Sequence, residues 1–373
     1  MTDMRPTEMR PAWVEIDLDA MAHNIREIRR MVGPACKLFS VVKGDGYGTG
    51  VVAAAVTSAR AGADALALGN PDEVPPIRDA GVTLPILLYG ATLPESAPAV
   101  AALGVIPTIH DFEGLAAFAA LGTPLQVYIK LDCGLGRLGF SPEQWREAFR
   151  RLARTGTLKL GGLYSHFSNP DDSGLTDVQA GRFAAACRDA EAEGHAGFER
   201  MVASSRILLS RPDLNLTAVN PGRVVYGYLE GAWRERADIR PVVASVKARI
   251  IQVKTLPPGA TVYGGTAPLT ETVRAAVAPI GFLDGFNHLP PCHVALLRGK
   301  RVRLMSRRGI EHTVLDVSAV PEAAVGDEVV FLGRQGGDMI DGPELAHALG
   351  LPLLELLPRL ARMAPRRYLP VRT

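Results

Sequence analysis

Apolar and polar positions change rhythm twice along the chain, and each change predicts a different kind of element. Trp13 to Leu18 alternates apolar and polar residues, the pattern of a half-buried strand. Asp19 is placed to cap a following helix with apolar positions at Met21, Ile25 and Ile28, ending near Gly33-Pro34. From about residue 38 to 226, eight short apolar runs alternate with Ala-rich helical stretches such as Val51 to Ala61, Phe112 to Leu121 and Pro142 to Arg154. The runs are Leu38 to Val42, Ala65 to Leu68, Ile86 to Tyr89, Val105 to Ile109, Leu125 to Leu131, Leu160 to Tyr164, Met201 to Ala203 and Leu216 to Val219. Short buried strands alternating with helices imply a parallel sheet, and eight of them favour a (β/α)8 barrel over an open sheet.

Beyond about residue 237 the texture becomes β-rich, with runs at Val242 to Val253, Val273 to Pro279, Val294 to Arg298, Val302 to Met305, Val314 to Val317 and Glu328 to Leu332. Only Gly342 to Leu360 reads as helix there. The expected organisation is a loose tail over 1–10, a barrel over 11–236 and a mostly β domain over 237–373. The first strand, about 12–18, is expected to pack with the second domain.

Composition narrows the function. Of 373 residues, 47% are hydrophobic and 21% charged, enough apolar material for a large core. Lys+Arg 41 against Asp+Glu 39 leaves a net charge of +2 without long single-sign blocks, which argues against nucleic-acid and anionic-membrane partners. Cys36, Cys133, Cys187 and Cys292 are scattered, so neither a disulfide framework nor a metal site is expected. Met1 to Arg10 has no apolar signal core and no later run reaches transmembrane length. A cytoplasmic protein handling small molecules is the expectation.

The sharpest chemical feature is Phe39-Ser-Val-Val-Lys43-Gly-Asp-Gly-Tyr47-Gly-Thr-Gly50. An apolar strand delivers a lysine at its carboxyl end, the active-site face of a barrel. Burial there lowers an amine's pKa and makes it available as a Schiff-base nucleophile. The alternative is a lysine snorkelling from the strand end beside a glycine turn, and on this segment alone the two stand level. A Walker phosphate loop is excluded, because the lysine precedes the glycines.

That segment resembles the lysine motif of alanine racemases, pyridoxal-phosphate enzymes of fold type III. Six further matches follow in order: Tyr128 to Phe140 (YIKLDCGLGRLGF), Tyr164-Ser-His166-Phe, Ala203-Ser-Ser205, Asn220-Pro-Gly222, Val262-Tyr263-Gly264 and Pro279 to Gly285. The resemblance extends over roughly residues 12 to 368. The resemblance implies a barrel that holds pyridoxal 5'-phosphate on Lys43 and a homodimer whose sites are each completed by the partner's Tyr263. Racemisation removes a proton from one face of a carbon and returns it to the other, so Lys43 and Tyr263 would serve opposite faces. Tyr47, Ser205, Gly222 and Arg223 match phosphate-binding positions, the last through its backbone N–H. Arg137 matches the arginine that meets the cofactor's phenolic oxygen and the substrate carboxylate, and Lys130 the lysine that is carbamylated in many members and positions it. His166 matches a histidine beside the cofactor, and Asp284 is read as supporting the site from the second domain.

Four departures stand out. Asn220 occupies the place of the usual arginine beside the pyridine nitrogen. Gly309-Ile310-Glu311-His312 replaces a Cys-Met-Asp-Gln segment whose backbone meets the substrate carboxylate. One gate tyrosine is Phe282, and the other, which also contacts phosphate, aligns to Arg362. These changes suggest alanine or a larger, more polar amino acid as substrate, with Arg362 either meeting an anionic side chain or only binding phosphate or facing solvent. The competing functions are another pyridoxal-phosphate reaction at the α-carbon (decarboxylation, dehydration or transamination) and a non-catalytic cofactor-binding protein.

Overall fold

A computed structural model describes residues 9–90, 92–263, 267–287, 294–305 and 307–369. Residues 1–8 of the expected tail, Gly264 and Cys292 lie outside them. Strand β1 (Ala12–Ile16) leads into a helix over Leu18–Val32. The helix is capped by Asp17 rather than Asp19, since the Asp17 carboxylate accepts from the Ala20 N–H at 2.8 Å. The strand ends two residues early, which leaves Asp17 in extended backbone and Asp19 in the first turn, where its charge suits the helix dipole.

Eight strands then close into a parallel barrel: β2 (Lys37–Val41), β3 (Ala65–Leu68), β4 (Ile86–Leu88), β5 (Ile106–Ile109), β6 (Leu125–Lys130), β7 (Leu158–Tyr164), β8 (Glu199–Ala203) and β9 (Ala218–Val219). The predicted barrel is therefore the observed one. Its interior is a separate apolar cluster that includes Phe39, Val41, Leu87, Tyr128, Tyr164, Met201 and Ala218. The intervening residues of each strand, such as Leu38, Leu88, Ile129 and Leu163, join the larger core packed under the helices. Period-2 alternation on a wall buried on both sides requires both sets to be apolar.

The carboxy-terminal part is a ten-stranded sheet. Its strands are β10 (Val243–Arg249), β11 (Gln252–Leu256), β12 (Val273–Ala278), β13 (Val294–Leu297), β14 (Lys300–Leu304), β15 (Thr313–Asp316), β16 (Glu328–Gln335), β17 (Asp338–Ile340) and β18 (Arg366–Tyr368), joined by β1. Strand β1 runs antiparallel to β10 and parallel to β18, so both ends of the described chain meet in one sheet. The run at 242–253 is two strands divided at Ile250-Ile251. The helix expected over 342–360 is two, Gly342–Leu349 and Leu353–Met363. Gly350 closes the first in the left-handed region (φ +64°), and Pro352 precedes the second.

Candidate active site

The inward parity of the barrel strands continues past their carboxyl ends and builds the site. Phe39 and Val41 are followed by Lys43, Leu87 by Tyr89, Ile106 by Thr108 and His110, Tyr128 by Lys130, Tyr164 by His166, and Ala218 by Asn220. Where the apolar layer stops, these side chains line a cavity of about 400 Å³ together with Tyr47, Arg137, Ser205, Arg206, Gly222 and Arg223. Its described lining includes five cations (Lys43, Lys130, Arg137, Arg206 and Arg223) and no carboxylate.

Burial first, and that charge imbalance second, move the titratable groups. Burial, with Arg137 nearby, lowers the pKa of the Lys43 amine. Lys130 is 5% exposed, lies 4.6 Å from the centre of the Tyr164 ring, and is pushed down to about 7, chiefly by burial. His166 is driven down to about 4 by burial first and then by Lys130, Arg137, Lys43 and Arg223. It is thus a neutral ring at physiological pH. Burial raises the Tyr47 hydroxyl to about 12, so it stays a neutral donor.

Arg137 is delivered by a glycine loop wound around Asp132. The carboxylate accepts from the N–H groups of Gly134, Leu135, Gly136 and Arg137 at 2.8 to 3.2 Å. Burial opposes its ionisation, but these four backbone donors outweigh it and hold its pKa below the ordinary aspartate value.

At one end of the cavity Ser205 Oγ accepts from the N–H groups of Gly222 (3.0 Å) and Val224 (3.2 Å). A Cβ on Gly222 would lie 2.4 Å from the Tyr47 hydroxyl oxygen, so the glycine is what admits that hydroxyl. The Tyr47 ring is fixed by stacking on Tyr226 at 4.7 Å, and its carbonyl accepts from the Tyr228 hydroxyl at 3.3 Å. Across the cavity Asn220 Nδ2 donates to the Tyr89 hydroxyl at 2.8 Å, while Asn220 Oδ1 is buried without a hydrogen-bond partner.

Four of the residues singled out from sequence stand apart from this cavity: Tyr263, Ile310, Asp284 and Arg362. Tyr263 (44% exposed) and Ile310 (56%) lie on the second domain with Leu283 (50%), an apolar surface patch. The patch is held by Leu283 N–H donating to the Ile310 carbonyl at 3.1 Å and by the Tyr263 ring lying over Gly309, where a Cβ would meet its hydroxyl at 1.9 Å. Asp284 organises the turn beneath it, pairing with both guanidinium nitrogens of Arg10 at 2.7 Å and accepting from Gly281 N–H at 2.8 Å. Arg362 is exposed at the end of the helix over Leu353–Met363, with its charge felt by Glu73 rather than by the cavity. Conversely, Tyr89, Thr108 and His110 line the cavity without having been singled out, although strand parity marks all three.

The amino-terminal domain pattern of alanine racemase matches residues 16–230, and the carboxy-terminal domain pattern matches 243–368. The chain belongs to the alanine racemase family. An alanine racemase of Desulfosudis oleivorans is 35% identical over 377 residues, covering 96% of each chain. One of Desulfovibrio desulfuricans is also 35% identical, covering 96% of this chain and 98% of its own. Among solved structures, alanine racemase of Clostridium difficile 630 superposes with a TM-score of 0.88 at 27% identity over 96% of both chains. That of Bacillus anthracis, solved with bound L-Ala-P, gives 0.89 at 27% identity, covering 97% of this chain and 95% of its own.

Members of this family are pyridoxal-phosphate enzymes, and the cavity fits that group. It offers an amine of lowered pKa for a carbonyl carbon, and the Tyr47 and Ser205 hydroxyls beside Gly222 for a phosphate. It also holds an excess of positive charge for the phosphate and carboxylates, and one orphaned buried acceptor at Asn220 for a ring N–H. The chain is an amino-acid racemase of the pyridoxal-phosphate class.

Proposed function

We propose that this chain racemises alanine, the substrate in its relatives' names, by two-base proton transfer in a homodimer whose sites combine residues of both copies. The observation that carries the reading is the Lys43 amine, set one inward step beyond β2 with its pKa lowered, in a cavity rich in cations and free of carboxylates among its described lining. Pyridoxal phosphate, when bound, supplies the electron sink that stabilises negative charge at the α-carbon.

The chain's own residues do the rest. Lys43 would hold the cofactor through Nζ, and the same amine, when free, would take or return the α-proton on one face. Tyr47, Ser205 and the Arg223 N–H would bind the phosphate beside Gly222, whose own N–H is held by Ser205 Oγ. Arg137, anchored by the Asp132 loop, orients the substrate carboxylate with its fork of donors. Neutral His166 sits beside the cofactor and adds no positive charge to the cluster. Lys130, with a pKa near 7, has a free amine able to react with carbon dioxide, and the carbamate would bring a negative charge beside Arg137.

The second acid–base group is the partner subunit's Tyr263. The patch of Tyr263, Leu283 and Ile310 is exposed on one chain and suits closure over a second copy's cavity, with the Gly309–Ile310 backbone facing the substrate carboxylate. A cytoplasmic location fits the buried, unpaired Cys36, Cys133 and Cys187, and no helix among the described residues is long and apolar enough to cross a membrane. Arg362 is exposed and does not belong to the described cavity lining, which favours alanine over a substrate with an anionic side chain.

The test is complementation. Lys43→Ala and Tyr263→Phe are each expected to be inactive as homodimers. Mixed dimers contain one site with both native groups and should regain racemisation and α-proton exchange in D2O. Mixtures as inactive as their parents, despite formation of mixed dimers, would refute the shared site.

A further inference from the structure

The turn that carries Lys43 runs left-handed through consecutive residues, with φ of +65° at Gly44, +57° at Asp45, +61° at Gly46 and +50° at Tyr47. Glycine accepts that backbone freely, whereas residues with a Cβ resist it, so Asp45 and Tyr47 must be held there by contacts. Asp45 is held on three sides. Its N–H donates to Glu73 Oε1 at 2.6 Å, and its Oδ1 accepts from Val51 N–H at 2.9 Å. Its Oδ2 forms an ion pair with Arg366, 321 residues away in sequence.

Strand β18 supplies that arginine. Arg366 Nε donates to the Ala361 carbonyl at 2.9 Å, which fixes the guanidinium, and Tyr368, next on the same strand face, donates its hydroxyl to the Thr49 carbonyl at 3.0 Å. Chain packing at the turn is close: a Cβ on Gly48 would lie 2.4 Å from the Pro358 carbonyl, and one on Gly50 would lie 2.2 Å from the Tyr368 hydroxyl. Because Arg366 and Tyr368 pair with Val14 and Ile16 of β1, the turn is fastened to the second domain's sheet.

We propose that Asp45 and Arg366 form an interdomain latch that positions the Lys43 amine in the cavity, although neither residue lines it. The inference rests on Lys43 being the lysine that takes the cofactor. Loosening the latch lets the left-handed turn relax toward right-handed backbone, moves Nζ relative to the phosphate cradle, and weakens the covalent link to the cofactor more than it weakens the fold.

The experiment compares the full chain with Arg366→Met, Asp45→Asn, the double variant and the conservative Arg366→Lys. Arg298→Met, which breaks the exposed Arg298–Asp327 pair, is the control. Borohydride reduction followed by peptide mass mapping gives the fraction of chains with cofactor on Lys43. Visible absorbance after dilution gives the rate of cofactor loss. Arg366→Met and Asp45→Asn should each speed loss by about tenfold, the double variant no more than the worse single, and Arg366→Lys should recover most of it. Arg298→Met should match the parent.

Parental retention and loss rates in folded Asp45→Asn and Arg366→Met would overturn the latch, as would additive effects in the double variant. If Arg366→Met fails to fold, Asp45→Asn and Arg366→Lys decide by the same readouts. A parent protein that links cofactor to Lys43 yet racemises nothing would refute the proposed reaction while the latch is still read from retention. A parent with no cofactor on Lys43 would refute both.

Discussion

Replacing Gly222 by alanine tests the phosphate cradle at a single carbon atom. The glycine backbone is not left-handed, so alanine adopts it without strain and the effect comes from the new methyl group. That methyl would sit 2.4 Å from the Tyr47 hydroxyl oxygen and 3.0 Å from its ring carbon Cζ, so the tyrosine must retreat by roughly 1 Å to restore ordinary contact. It has little room, because its ring stacks on Tyr226 and its left-handed backbone carbonyl is held by Tyr228. Overpacking of this kind costs about 1–3 kcal/mol, and a hydrogen bond to a charged group is worth about 1.5–3 kcal/mol. With part of each term lost, cofactor affinity should fall by roughly 10- to 100-fold, equivalent to about 1.4–2.8 kcal/mol. The assay is dialysis to the cofactor-free protein followed by titration with pyridoxal phosphate, monitored by absorbance and tryptophan fluorescence. Gly181→Ala, in the helix over Ser173–Ala192 with open space around its Cβ position, should bind normally and melt slightly higher. Adding Tyr47→Phe to Gly222→Ala should cost little more than either change alone, because both remove the same donor. A Gly222→Ala protein with lowered Tm but unchanged affinity would refute the cradle and leave these residues only a packing role.

The remaining predictions concern charge. His166 titrates at about 4 in the folded chain against 6.5 ordinarily, so the unfolded chain holds more protons between these values and stability should fall as pH drops through that window. His166→Asn should flatten that part of a Tm-against-pH curve, and parallel curves would contradict the buried neutral ring. Lys130, at about 7 against 10.5, should make stability rise with pH over that range in bicarbonate-free buffer, and Lys130→Met should abolish the rise. Intact-mass measurement with added bicarbonate should find carbamate on Lys130, and its absence under all conditions would remove that modification from the mechanism. Asn220→Arg restores a permanent cation beside the Tyr89 hydroxyl and should slow conversion of bound cofactor to its amine form during prolonged turnover; an unchanged rate would mean that Asn220 does not tune the ring. Arg362→Ala should leave the ranking of amino-acid substrates intact, and a reordered ranking would place that cation back in the pocket.

Much of the fold was legible because a parallel barrel imposes a simple rule on its strands. Each is buried on both faces, so apolar runs of three to seven residues recur between helices, and all eight were found close to their observed limits. Misreadings occurred where a local choice was close. Asp17 and Asp19 are both adequate caps, and the choice fell to where β1 stopped pairing with β10. The break at Gly350 was written in the chain as glycine followed by proline, but the apolar rhythm ran across it. In the site, Tyr89, Thr108 and His110 could have been found by continuing each strand's inward parity beyond its end.

By itself the sequence determined the barrel, the lysine at the end of β2, the hydroxyl and glycine that line the cavity with it, and the family, because these depend on local pattern and on spacing within a few residues. Tertiary structure alone decided the chemistry of those groups. Lys130 and His166 acquire their lowered pKa values only when the closed barrel buries them and, for His166, brings several cations around it. The orphaned oxygen of Asn220 exists only because Tyr89 of another strand engages its amide nitrogen. The Asp45–Arg366 pair joins residues near opposite ends of the chain, and no local pattern announces it. Electrostatic and hydrogen-bond energies depend on distance and burial in space, and the order of residues along a chain constrains these only after the fold has closed.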